Sequence, residues 1–97
     1  MYNKNDIKKT ILSLRDNLRN KYYIKTLALF GSYARGEETN SSDIDILVDF
    51  DTTPDLLTFI ELEEFLSDKL KRNVDLVPLR KLKESIKKQI LDEAITL

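Results

Sequence analysis

The chain has no cysteine, no histidine and no tryptophan, and of its 97 residues only two are glycine and two proline. Without cysteine there is no disulfide and no thiolate metal site. Without histidine there is no imidazole to move a proton or bind a metal. Any metal must therefore be held by oxygen, which selects hard ions such as Mg²⁺ or Mn²⁺. No apolar run approaches the length of a membrane span, and the polar N-terminus lacks a signal-peptide core, so a cytoplasmic location with no membrane partner is expected. A basic excess is also missing: 16 Lys and Arg stand against 17 Asp and Glu, for a net charge of -1. That balance argues against direct nucleic-acid binding and leaves a locally held nucleotide open. What is present, 41% hydrophobic and 34% charged residues, suits one small domain over residues 1–97 with a modest core.

Hydrophobic spacing gives the element order. Ile7, Ile11, Leu14 and Leu18 recur at helical intervals over residues 4–20. "KTLALF" (25–30) is a short apolar run closed by Gly31, as expected of a buried strand. A short helical turn is expected from Ser32 to Arg35, then the polar connector "EETNSS", then a second strand in "DIDILVDF". Thr53 and Pro54 read as N-cap and first residue of a helix running to about Lys71. "NVDLVPL" (73–79) reads as a third strand, and residues 79–96 as a final amphipathic helix. The order αβ(α)βαβα implies an α/β sandwich, a small mixed sheet packed by helices.

Two positions of the second strand go to carboxylates. Asp43 and Asp45 are two apart, so both project from one face, with Cα atoms roughly 6.6 Å apart. Like charges this close raise a pKa unless a cation intervenes, and Mg²⁺ is commonly held by one or two carboxylates plus phosphate oxygens. Asp75 interrupts the third strand in the same way, and adjacent strands would let it join the pair. Three such ligands can hold two metal ions for in-line phosphoryl or nucleotidyl transfer. An aspartate at a strand end is ordinarily a turn former, and Asp49, Asp51 and Asp55 read that way; Asp49 shares the parity of Asp45 but lies about 13 Å along the strand. The Asp-x-Asp pair alone does not decide between the two readings. Asp75 and the turn "FGSYARG" tip it towards function: Gly31 admits a close ligand, Ser32 adds a hydroxyl, helix-start amides bind phosphate, and Arg35 offers a forked guanidinium.

Gly31-Ser32, ten intervening residues, then Asp43-Ile44-Asp45 and a later Asp75 resemble the signature of the minimal nucleotidyltransferases (MNT) of the DNA polymerase β-like superfamily. The resemblance covers the chain in element order. It implies the polymerase β-like nucleotidyltransferase fold and transfer of a nucleotide, usually AMP from ATP, to a hydroxyl with release of pyrophosphate. Carried over by position, Asp43 and Asp45 would bind two Mg²⁺ ions, with Mn²⁺ as a substitute. Asp75 would bind the catalytic ion and help activate the hydroxyl. Gly31 and Ser32 would hold the β and γ phosphates, with Arg35 as a further phosphate contact.

The resemblance also implies a partner. Such proteins are typically paired with a HEPN-domain ribonuclease toxin, which they silence as antitoxins by AMPylation of a tyrosine. The shortness of the chain, which leaves little surface for a large acceptor, agrees with that. The apolar residues of the 55–71 helix are read as a broad packing face, with Leu56, Phe59, Ile60, Leu66 and Leu70 clustered and Leu57, Leu62 and Phe65 extending the arc. Leu91 and Ile95 are expected on a partner or homo-oligomer surface. A binding-only antitoxin that masks its partner, and transfer to a small molecule or an RNA end, remain as alternatives.

Overall fold

The computed structural model describes residues 3–97. In chain order the elements are α1 (Lys4–Ser13), α2 (Arg15–Tyr22), β1 (Ile24–Phe30), α3 (Gly31–Arg35), β2 (Ile44–Phe50), α4 (Leu56–Leu70), β3 (Val74–Pro78), a 3₁₀ turn (Leu79–Lys81), α5 (Glu84–Glu93) and β4 (Ile95–Thr96). The sheet order is β3-β2-β1-β4, with β2 and β3 parallel and the other two pairs antiparallel. The mixed sheet packed by helices agrees with the sequence reading, and three of its details change.

The single helix expected over residues 4–20 is broken at Leu14, whose φ of -100° and ψ of 0° end α1 and begin α2. Hydroxyls on the last turns compete with the helical ladder there: Thr10 donates to the Asp6 carbonyl at 3.1 Å and Ser13 to that of Thr10 at 2.6 Å. In α4 the cap is Asp55 rather than Thr53, its carboxylate accepting from the Thr58 amide at 2.8 Å. The buried stripe of α4 is Leu62, Leu66 and Leu70, flanked by Phe59 and Phe65, while Leu56, Leu57 and Ile60 are exposed. The last helix is shorter than expected because β-branched Ile95 and Thr96 leave it to pair with Leu29 and Ala28. Ile95 therefore packs on the core instead of facing a partner, whereas Leu91 stays exposed.

The two faces of the sheet are covered unequally. Ile44, Ile46 and Val48 point into the main core with Ile7, Ile11, Leu18 and the α4 leucines. Each such aliphatic side chain contributes about 1.5–3 kcal/mol on burial. Residues of the opposite parity, Asp45, Leu47 and Asp49, face the side where α5 lies, and α5 buries no residue fully. The thinly covered face is therefore where polar strand residues reach solvent. Among the described residues, no helix is long and apolar enough to cross a membrane.

Candidate active site

The site forms where β1 ends and where β2 and β3 begin. Gly31 leaves β1 with φ +73° and opens α3, and Gly36 closes that helix at the same φ. Both glycines of the chain are thus spent around one five-residue helix, while Tyr23 and Lys71 take left-handed conformations at other helix ends without glycine's freedom. Gly31 is held to glycine by a second condition: a Cβ there would overlap Asp45 Oδ2 and lie 3.1 Å from Asp45 Cγ. Tyr33, 1% exposed, pegs α3 into the core. Half-buried Ser32 follows Gly31 at the rim, its carbonyl accepting from the Glu37 amide at 2.9 Å.

Strand register aligns the carboxylates. Phe30 stands opposite Asp45, and Asp45 opposite Asp75, so a row crosses three strands from the glycine turn to the sheet's outer strand. Neighbouring strands are about 4.8 Å apart, close enough for the charges to interact. Asp43, exposed, lies just ahead of β2, and the Ile44 amide donates to the Asn73 carbonyl at 2.9 Å, which fixes where the two parallel strands start. Burial raises the Asp45 carboxyl above its ordinary range, and the charges of Asp75 and Asp43 raise it further; Arg35 opposes them. None of the three carboxylates accepts a hydrogen bond from another described residue.

The arrangement brings Gly31, Ser32, Asp43, Asp45 and Asp75 to one end of the sheet. It holds Arg35 differently from the sequence expectation: Nε donates to Glu37 at 2.9 Å and the guanidinium's Nη1 to Glu93 at 3.1 Å, tying α3 to α5. A phosphate reaching Arg35 would have to compete with both carboxylates. The donor set around Asp45 is all oxygen, anionic and mutually repelling, which fits a hard divalent cation. Among the described residues, no three acidic groups close into a ready-made metal cage. Mg²⁺ usually retains water and takes substrate oxygens beside one or two carboxylates.

Two side chains that the sequence reading passed over bracket Asp75. Ser67 Oγ accepts from the Val74 amide at 3.0 Å, and Glu63 Oε2 accepts from the Leu76 amide at 2.9 Å. Both stand on α4, four residues apart and so on one helix face. They occupy the outward amides of β3, the edge strand, on either side of Asp75. The available signal was a polar pair, Glu63 and Ser67, at helical spacing in "LEEFLSDKL", beside the buried stripe of Leu62, Leu66 and Leu70.

A model of the family described as polymerase beta, nucleotidyltransferase matches residues 13–97. A relative from Methanocaldococcus jannaschii is 50% identical over 90% of this chain and 97% of its own. The protein adenylyltransferase MntA of Thermococcus cleftensis is 43% identical over 93% of this chain and 91% of its own. Among solved structures, a toxin–antitoxin with AMP-PNP superposes with a TM-score of 0.74 at 34% identity, covering 94% of this chain and 71% of that one. A tri-AMPylated HEPN toxin in complex with MNT antitoxin, from Shewanella oneidensis, contributes a chain with a TM-score of 0.64 at 32% identity, covering 93% and 66%.

Proposed function

Because this chain belongs to the polymerase β nucleotidyltransferase family, and is a nucleotidyltransferase, we propose that it is an Mg²⁺-dependent protein adenylyltransferase. It moves AMP from ATP to a tyrosine hydroxyl of a HEPN ribonuclease toxin and so acts as the antitoxin, in the cytoplasm where ATP is available. The observation that carries this is the row Gly31–Asp45–Asp75, in which the glycine turn abuts Asp45 and Asp45 stands opposite Asp75 on the neighbouring strand. The relatives named above support the acceptor class and ATP.

In this reading Asp43, Asp45 and Asp75 would hold two Mg²⁺ ions, whose chemistry there would be a lowered pKa for the nucleophile and neutralised charge at the α-phosphate. Gly31 and Ser32 orient the β and γ phosphates by backbone amides and the Ser32 hydroxyl. The acceptor oxygen forms a bond to the α-phosphorus, the bond from phosphorus to the pyrophosphate oxygen breaks, and pyrophosphate departs with its electron pair. Asp75, on the outer strand and exposed, faces the incoming hydroxyl and assists loss of its proton.

Labelled ATP, Mg²⁺ and a HEPN toxin incubated with this protein should place AMP on the toxin, and chelation by EDTA should stop it. No transfer by the wild type, or equal transfer by Asp45→Asn, would sink the proposal. The exposed Leu56 and Leu57 at the start of α4 favour a second reading, antitoxin action by masking alone. Under it Asp45→Asn would still neutralise the toxin fully in cells.

A further inference from the structure

A groove of about 270 Å³ opens where β2 and β3 end and α4 begins, with Val48, Phe50, Leu56 and Phe59 as its apolar lining. Phe50 and Phe59 meet edge to face there, their ring centroids 6.3 Å apart. Both prolines of the chain, Pro54 and Pro78, border the groove, and their fixed φ holds its rim in place before anything binds. Small-molecule sites usually measure about 300–1,000 Å³, so this groove suits one or two side chains better than a whole ligand.

Exposed apolar side chains continue outward from it. Leu56, 74% exposed, lines the groove, and Leu57 at 78% and Ile60 at 42% follow on the first turns of α4. Ile60 lies four residues from Leu56 and so on the same helix face. The 3₁₀ turn after β3 supplies two cations, Arg80 and Lys81. Both are exposed, and among the described residues neither has an ion-pair partner. Apolar surface beside unpaired cations selects a protein segment with an apolar anchor and flanking carboxylates. Two cations on a chain of net charge -1 are a poor match for a nucleic-acid backbone. A second copy of this chain also fits poorly: the one acid lining the groove, Asp55, is committed to the Thr58 amide at 2.8 Å.

We propose that this groove docks an acidic segment of the partner toxin, which seats an apolar side chain against Leu56 and Phe59 and sets its carboxylates on Arg80 and Lys81. This rests on the reading that a protein partner receives the AMP. β2 runs from Asp45 to Phe50 at the groove, about 16 Å at strand rise, so docking and chemistry occupy opposite ends of one strand. A toxin anchored at the groove can present its hydroxyl at the other end without crowding the carboxylates. Docking of this kind lowers the KM for the toxin and leaves kcat alone.

The test measures binding of a HEPN toxin to the full chain by calorimetry across a salt series. Leu56→Asp, and separately Arg80→Glu with Lys81→Glu, should each weaken binding by about tenfold or more, as expected of an interface hot spot. These side chains are exposed, so Tm should hold; the milder Arg80→Gln/Lys81→Gln variant guards against misfolding and should lose most of the salt dependence. AMP transfer to a short tyrosine peptide should stay unchanged in all of them. Leu12→Asp, at an exposed leucine elsewhere, should leave toxin affinity as it is. Unchanged affinity in the groove variants, or an equal loss from Leu12→Asp, would overturn the proposal. So would displacement of the toxin by a single-stranded RNA oligomer that Arg80→Glu/Lys81→Glu abolishes, or a dimer of the chain alone that Leu56→Asp dissolves. If binding responds as expected but no label moves to toxin or peptide, the transfer reading fails and the docking surface stands. If label moves and binding ignores the groove, the docking surface fails and the transfer reading stands.

Discussion

β2 carries aspartates at both of its ends, and the two ends treat them differently. At the far end, Asp49 Oδ1 accepts from the Phe50 amide at 3.1 Å, and Asp55, one loop further on, caps α4 through the Thr58 amide. Those carboxylates are occupied by backbone. At the near end, Asp43, Asp45 and Asp75 have no hydrogen-bond partner among the described residues and act on one another through charge. Asp45 and Asp55 shift in opposite directions as a result. Burial and like charge push Asp45 up, whereas the backbone hydrogen bond at Thr58 pulls Asp55 down. What separates a ligand-ready carboxylate from a structural one in this molecule is the absence of an amide to satisfy it.

The sharpest way to break that contrast is to neutralise each end in turn. Asp45→Asn should lower the initial rate of AMP transfer by about 10³-fold, the several kcal/mol expected from losing a metal ligand at 1.36 kcal/mol per tenfold. Asp49→Asn should leave the rate within about twofold. Comparable losses from both would erase the distinction.

The glycines test the same idea through backbone. Gly31 and Gly36 share φ +73°, but a Cβ meets Asp45 at Gly31 and nothing within 4 Å at Gly36. Gly36→Ala should cost about 1 kcal/mol in urea melts with transfer retained. Gly31→Ala should cost roughly twice as much and remove most of the transfer activity as Asp45 is displaced.

A smaller effect is expected at the outer strand. Glu63→Ala frees the Leu76 amide, at about 1 kcal/mol, and loosens Asp75; transfer should fall about tenfold and need more Mg²⁺ for half-saturation. Glu63→Gln keeps an acceptor and should restore both. A variant that loses stability without a change in Mg²⁺ requirement would make Glu63 structural only.

The smallest effects are in pH-dependent stability, and they differ in sign. Asp45 has a folded value above its ordinary 3.8, so the native state holds the proton more tightly and its contribution to stability falls as pH rises through that window. Asp45→Asn should therefore raise Tm at pH 7 in metal-free buffer by a few degrees at most. Asp55 lies below 3.8, so its stabilisation is present above that value and is lost as pH falls through the folded one. Asp55→Ala should lower Tm at pH 7 and flatten the acid limb of the stability curve.

Local pattern made the candidate end of the sheet legible. Gly31-Ser32 and Asp43-x-Asp45 announce themselves through spacing, and Asp75 through its interruption of an apolar strand. Their alignment depends on parallel pairing of β2 with β3, which strand–helix–strand order implies. What escaped is tertiary. Glu63 and Ser67 act on amides 13 and 7 residues away, a distance that helical periodicity says nothing about. β4 was hidden because Ile95 continues a helical stripe until an unpaired edge competes for it. Arg35 met two carboxylates, one of them 58 residues on, that no nearby motif foretold.

The clasp of Ser67 and Glu63 on β3 has a consequence for assembly. In polymer terms a sheet with two bare edges is a bifunctional monomer, able to propagate from copy to copy. Here the β3 edge is end-blocked by side chains of its own covering helix, which closes that route of propagation.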